Sequence, residues 1–159
     1  MKIKQAYRET LSLLGEVYER NESVSITRLL FDDLELDHLK LASDPDLQIS
    51  IEKYECLKKY RKQLLKKVPI QYVLGYSWFY ERKFRVAPGC LIPRPETEEL
   101  VYNIIDENIE FKRVLDIGTG SGCIAVSIKA EFPGAGVWAM EKFPGTLEIA
   151  QHNARIHNA

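Results

Sequence analysis

Between Arg113 and Lys142 the sequence reads RVLDIGTGSGCIAVSIKAEFPGAGVWAMEK, and no other stretch restricts the possible folds as much. A short apolar strand is followed by a glycine loop, then by a helical segment with Ile124 and Ile128 on its inward face, a Pro-Gly break, and a second strand. Strand, helix and strand in so short a span form a βαβ unit, whose strands run parallel and whose crossover is right-handed by rule. The chain is therefore of the α/β class. Parallel sheets are covered on both faces and have several strands. The sequence ends at QHNARIHNA, still inside the helix after the second strand, so the expectation is the first, incomplete part of a doubly wound, Rossmann-like sheet.

The glycine loop selects among ligands. Gly118, Gly120 and Gly122 alternate, letting the backbone turn sharply and approach a ligand where a Cβ would stand in the way. The dinucleotide fingerprint G-x-G-x-x-G is not met, because Cys123 stands three positions after Gly120. No Gly-Lys-Ser/Thr follows either, which removes a Walker loop. Asp116, just before the loop, would repel a diphosphate and attract a cation. Glu141 ends the second strand about twenty residues on, where doubly wound folds place an acid against ribose hydroxyls. An adenosine whose other end is cationic and carries no phosphate meets these conditions, and S-adenosylmethionine is such a molecule. The competing reading of the glycines alone is a tight strand-to-helix turn with no ligand.

Upstream, apolar residues recur at helical spacing in three sets: Ile3, Tyr7, Leu11, Leu14 and Val17; Ile26, Leu29, Leu30 and Leu34; and Leu47, Ile51, Tyr54, Leu57, Leu64 and Val68. Breaks fall at RNES and SDPD, so residues 1–70 read as a small helical bundle. Tyr76–Val86, YSWFYERKFRV, alternates aromatic and polar residues around a Glu81-Arg82 pair, a β-hairpin pattern that makes 71–90 a linking segment. Residues 91–159 then hold the α/β part. They open with LIPRPETEELV, in which Pro93 and Pro95 stiffen the backbone on either side of Arg94. Leu100, Val101, Ile104 and Ile105 form the stripe of the next helix. Thr97 is placed to cap that helix, with Glu98 and Glu99 favouring its N-terminal dipole.

The chain has 159 residues, a net charge of −1 and a pI near 6.3, so its overall field draws it to neither nucleic acid nor membrane. No apolar run approaches the roughly 20 residues of a membrane span, and the N-terminus lacks a signal-peptide core, so a cytoplasmic protein is expected. Cys56, Cys90 and Cys123 form no CxxC pair and read as inert thiols. His38, His152 and His157 are scattered, and no metal site is expected. Lys58, Lys59, Arg61, Lys62 and Lys66 follow the acidic Asp32, Asp33, Glu35, Asp37, Asp44 and Asp46. They form either a basic face for an acidic partner or a solvated helix balanced by those neighbours. Direct nucleic-acid binding is disfavoured by the absence of an aromatic stacking platform.

PIQYVLGYSWFY, FRVAPGCLIPRPETEELV and VLDIGTGSGCIA are similar, almost residue for residue, to signatures of the protein-(glutamine-N5) methyltransferases that modify peptide-chain release factors, the HemK or PrmC family. The resemblance covers the whole chain and is closest from Pro69 onward; the proline-rich signature is more specific than the glycine loop, which many methyltransferases share. It implies a helical substrate-recognition domain and a class I methyltransferase domain using S-adenosylmethionine. By position, Asp116, Gly118, Thr119, Gly120 and Gly122 would form the methionine-side loop, Glu141 would bind the ribose, and Arg94, Glu96 and Thr97 would organise the substrate pocket. The family usually has aspartate where Glu141 stands, and Lys142 and Phe143 depart from its usual small or apolar pair. The resemblance also implies release factors as partners of a monomeric, cytoplasmic enzyme. The family's Asn-Pro-Pro-Tyr substrate loop is not in this sequence, so the isolated chain is expected to be inactive, with its catalytic residues unknown. The alternatives are a non-catalytic protein-binding module and the front part of a nucleic-acid amino-methyltransferase.

Overall fold

The computed structural model describes residues 1–36, 46–107 and 112–159. Asp37, His38, Asp44 and most of the SDPD break lie outside them. The described residues form seven helices and two two-stranded sheets, an α/β chain, in two compact units, Met1–Leu74 and Gly75–Ala159. No helix among them is long and apolar enough to cross a membrane.

The first unit holds α1 (Ile3–Leu14), α2 (Arg20–Asp33), α3 (Ile51–Leu64) and α4 (Ile70–Leu74). Its core gathers Leu14, Leu30, Phe31, Leu57 and Leu64, all fully buried, with Tyr7 meeting Phe31 edge-on at 5.1 Å. Each such side chain contributes about 1.5–3 kcal/mol on leaving water. The break between α1 and α2 falls earlier than RNES, which is instead the first turn of α2. Gly15 closes α1 by donating its N–H to the Leu11 carbonyl. Buried Ser23 donates its hydroxyl to the carbonyls of Tyr18 and Glu19, so its polar group is satisfied as the run continues into the helix. Leu29 and Ile51 were assigned to the apolar stripes but are exposed. Ile51 is the first residue of α3, where the Ser50 side chain caps by accepting the Lys53 N–H.

Arg61 is the largest departure in this unit. It belongs by sequence to the basic run, yet it is 8% exposed. Its Nε and Nη2 donate to Thr10 Oγ1 at 3.0 and 2.6 Å, and Nη2 also reaches the Ala6 carbonyl at 2.8 Å. Glu9 stands 3.8 Å away as counter-charge. Thr10 in turn donates to the Ala6 carbonyl, so the guanidinium fork ties α3 to one turn of α1. The exposed basic face is thereby reduced to Lys58, Lys59, Lys62 and Lys66, and Lys58 pairs with Glu55 at 2.6 Å.

In the second unit β1 (Tyr76–Phe79) and β2 (Arg82–Arg85) pair antiparallel, followed by α5 (Pro95–Asp106), β3 (Arg113–Ile117), α6 (Cys123–Glu131), β4 (Gly136–Met140) and α7 (Pro144–Ile156). The pairing Phe79↔Arg82 makes Tyr80-Glu81 the two-residue turn, one position before the pair singled out in the sequence. Both turn residues have positive φ, 47° and 58°, as a type I′ hairpin turn requires. The turn is held from outside: Glu98 accepts the Tyr80 N–H, and Arg82 pairs with Glu131 at 2.9 Å.

β3 and β4 are parallel, in register from Arg113↔Gly136 to Ile117↔Met140. Val114 and Val137 pack into a core with Phe79, Phe84, Val101 and Ile128. Leu115, Ile117, Trp138 and Met140 are each more than half exposed. Leu100 also faces solvent, whereas Val101 is fully buried, so the inward stripe of α5 is narrower than the sequence suggested.

The clamp at Arg61 predicts that Arg61→Met lowers the unfolding free energy by about 2–3 kcal/mol in urea titrations. Arg61→Lys is expected to recover little of it, because one ammonium cannot span Thr10 Oγ1 and the Ala6 carbonyl as a fork does. Full recovery by lysine would show that charge rather than geometry matters there.

Candidate functional site

Three separated pieces of sequence meet around one cavity of about 350 Å3 in the second unit, within the range of roughly 300–1,000 Å3 typical of small-molecule sites. The first is the loop after β3. The N–H groups of Gly118 and Thr119 both donate to the Met140 carbonyl, at 2.8 and 3.0 Å, and Gly122 N–H donates to the Thr119 carbonyl at 2.9 Å. Gly118, Gly120 and Gly122 have φ of 78°, 58° and 81°, left-handed values that a side chain would strain. Gly122 is also crowded: a Cβ there would come within 3.3 Å of the Ala150 Cβ on α7.

The second piece is Glu141, directly after β4. Its Oε2 accepts the Gly120 N–H at 3.0 Å, and its Oε1 accepts those of Lys142 and Phe143 at 2.7 and 3.1 Å. Foremost the Phe143 N–H, then those of Gly120 and Lys142, hold this carboxyl below the ordinary glutamate range. The N–H groups of Gly118, Thr119, Gly120 and Gly122 are thus all engaged within the protein. A loop that grips a diphosphate would keep them available.

The third piece is the proline-rich arm, where Leu91 to Arg94 and Thr97 face the loop across the cavity. Pro95 takes the first helical position of α5, which makes Arg94 the N-cap residue, and no side chain caps the helix. Thr97 therefore does not cap. It lies inside the first turn, its N–H bonded to the Arg94 carbonyl at 3.0 Å, and lines the cavity instead. The proline's fixed φ shifts the helix start by enough to reverse that assignment.

Of the residues singled out in the sequence, Arg94, Thr97, Gly118, Thr119, Gly120 and Glu141 line the cavity. Asp116 stands behind Thr119, whose hydroxyl donates to Asp116 Oδ2 at 2.6 Å. Gly122 serves the packing against α7, and Glu96 is on the exposed side of α5. Sequence reasoning missed Ile92, Ser121, Cys123, Phe143 and Thr146, which also line the cavity. Phe143 had a signal: it is a large aromatic, 62% exposed, two residues beyond Glu141. Cys123 was read as an inert small residue. Burial raises its thiol pKa and pushes that of Cys90 to about 11, so both stay protonated near neutral pH. A larger, more open groove of about 550 Å3 adjoins the cavity and shares Gly89, Phe143 and Thr146 with it. The smaller cavity holds the converging polar groups and is the better candidate. Among the described residues no cluster of His, Cys, Asp or Glu is arranged to hold a metal ion.

Because the folded-state value of Glu141 lies below its unfolded one, the stabilisation it lends the loop is fully present above the ordinary value of 4.5. It is lost as pH falls through the lower folded value. An NMR titration of the Glu141 carboxyl carbon is expected to show a midpoint below 4.5, with the Gly120 amide signal moving at the same midpoint. A Gly120 signal insensitive to that titration would disprove the contact.

Residues 5–75 match the PrmC N-terminal domain family. Relatives resemble the chain well beyond that domain. A release factor glutamine methyltransferase of Bacteroides thetaiotaomicron is 44% identical over 141 residues, 88% of this chain and 51% of the relative. Those of Flavobacterium psychrophilum and Koribacter versatilis are 36% and 35% identical, covering 99% and 97% of this chain and 57% and 56% of their own lengths. The chain thus spans about half the length of the curated relatives it matches. Residues 5–75 thus match the PrmC N-terminal domain family, and most of the chain is similar to release factor glutamine methyltransferases, over about half of their length.

Proposed function

We propose that this chain is the cofactor-loop part of an S-adenosylmethionine-dependent methyltransferase acting on a glutamine side chain of peptide-chain release factors. The observation that carries the reading is the convergence of the glycine loop, Glu141 and the arm from Leu91 to Thr97 on one cavity, in a chain whose relatives are named for that activity. The two-stranded parallel sheet is read as the beginning of a Rossmann-like sheet.

The donor set fits an adenosine bearing a cation rather than a phosphate. When bound, S-adenosylmethionine supplies a methyl group on a positively charged sulfur. Asp116, backed by the Thr119 hydroxyl, gives the loop side a negative charge that would draw the cationic end. Glu141 offers carboxylate lone pairs to ribose hydroxyls beyond those already given to backbone N–H groups. Arg94 and Thr97, on the opposite wall, would orient what enters from the open side. An amide nitrogen is a poor nucleophile because its lone pair is delocalised, so acceleration must come from orientation and from polar groups that hold the amide in an attacking geometry. No Asn-Pro-Pro occurs in this sequence to do so, and the 159-residue chain is proposed to bind cofactor weakly and to transfer no methyl group. In this reading the first unit engages the release factor, with Lys58, Lys59, Lys62 and Lys66 as its basic face, and the protein works as a cytoplasmic monomer without contacting nucleic acid.

Calorimetry with S-adenosylhomocysteine, NAD+ and ATP tests the site. Binding of the first alone is expected, weakened about tenfold in Asp116→Asn, the loss of one charged contact. Preference for either phosphate-bearing ligand would overturn the cofactor assignment. Methyl transfer to a release factor by the 159-residue chain alone would overturn the claim of inactivity.

A further inference from the structure

One face of α7 touches both the glycine loop and the segment that leads into the proline-rich arm. Thr146, Ala150 and Asn153 follow one another at helical spacing and are all buried. Thr146 Oγ1 donates to the Gly89 carbonyl at 3.3 Å, at the start of the arm. Ala150 backs Gly122 in the loop. Asn153 does more than either. It is fully buried, its Oδ1 accepts the Arg85 N–H at 2.8 Å, and its Nδ2 donates to the carbonyls of Arg85 at 3.0 Å and Ser121 at 2.8 Å. Towards Arg85 the side-chain amide imitates a neighbouring strand, supplying both the donor and the acceptor that the outer edge of β2 lacks. Towards Ser121 it holds the Ser121–Gly122 peptide, inside the turn made by the positive-φ residues Gly120 and Gly122. Arg85 lies four residues before Gly89, so one side chain fixes both the strand that launches the arm and the loop that faces it.

We propose that Asn153 is a positioning residue that sets the spacing between the glycine loop and the proline-rich arm, and through it the fit of the ligand. A planar amide is suited to this task. Its acceptor and two donors are all used, and no isosteric side chain repeats that set: aspartate keeps the acceptor and loses both donors. The consequence for ligand fit rests on the cofactor reading above; the consequence for loop geometry does not.

The test is an Asn153→Asp variant of the full chain, isotope-labelled and observed by NMR, with S-adenosylhomocysteine as the probe ligand. Its carboxylate keeps the Arg85 N–H but faces the Arg85 and Ser121 carbonyls without a proton to give. The Ser121 carbonyl carbon and the amides of Gly120, Gly122, Gly89 and Leu91 are expected to shift together. Amide exchange at Gly122 should rise, and ligand affinity should fall, each by about tenfold, while signals of residues 1–36 and 46–74 stay in place. A purely structural role would lower the melting temperature without moving loop and arm together. If the folded variant keeps both sets at wild-type positions, the proposal is wrong. Should Asn153→Asp not fold, Asn153→Ala removes the clamp without adding charge and is read the same way. If neither folds, exchange in the wild-type chain decides: Arg85 and Gly122 amides opening at one common rate support the clamp, and unrelated rates overturn it. If wild-type chain does not bind S-adenosylhomocysteine, the cofactor reading fails, yet the shifts still decide the role of Asn153.

Discussion

The Met140 carbonyl accepts two N–H groups at once, those of Gly118 and Thr119, and the second unit is organised around that shared acceptor. It continues the β3–β4 ladder one step past Ile117↔Met140 and forces β3 to end in a turn rather than run on. Two consequences follow from chain connectivity. Gly118 must adopt positive φ to bring the next peptide round. Glu141, the residue after the acceptor, is then near enough to take the Gly120 N–H. Loop shape and acid position are thus two results of one shared backbone acceptor. A substitution that removes the glycine would disturb the carboxylate some twenty residues away in sequence.

The βαβ unit was legible because its signals are local and mutually consistent: an apolar strand, glycines where left-handed backbone is needed, and a helix stripe at Ile124 and Ile128. The convergence of the arm on the loop was legible only through family resemblance, since no periodicity links Arg94 to Gly120. What could not be read is equally physical. Arg61 looks like its lysine neighbours, but its planar fork matches a threonine and a carbonyl on α1 that lie more than fifty residues away. Thr97 has the right side chain for a cap and the wrong position, because Pro95 occupies the first helical place. RNES resembles a turn, and it becomes helix only because Ser23 finds carbonyl acceptors in the preceding residues. In each case tertiary or positional detail overrode a sound local preference.

Glutamate rather than aspartate at position 141 matters through its length. The extra methylene lets one oxygen cross to the loop while the other remains over the N–H groups of Lys142 and Phe143. The same carboxylate therefore braces the loop from the front while Ala150 and Asn153 brace it from behind. A glycine loop is entropically costly to order, and here contacts from β4 and α7 add to the bonds the loop makes within itself.

The Tyr80-Glu81 turn depends on contacts from outside the hairpin. Neither residue favours the left-handed region, and holding each there costs about 1–2 kcal/mol, so in the unfolded chain these two residues seldom bring β1 and β2 together. Hairpins nucleate quickly when their turns are preformed; this one is not. It is held by Glu98 of α5, which accepts the Tyr80 N–H, and by the Phe79 and Phe84 rings, which meet edge-on at 6.0 Å. The most local pairing in the unit therefore owes its native turn to a helix that lies beyond it in the chain.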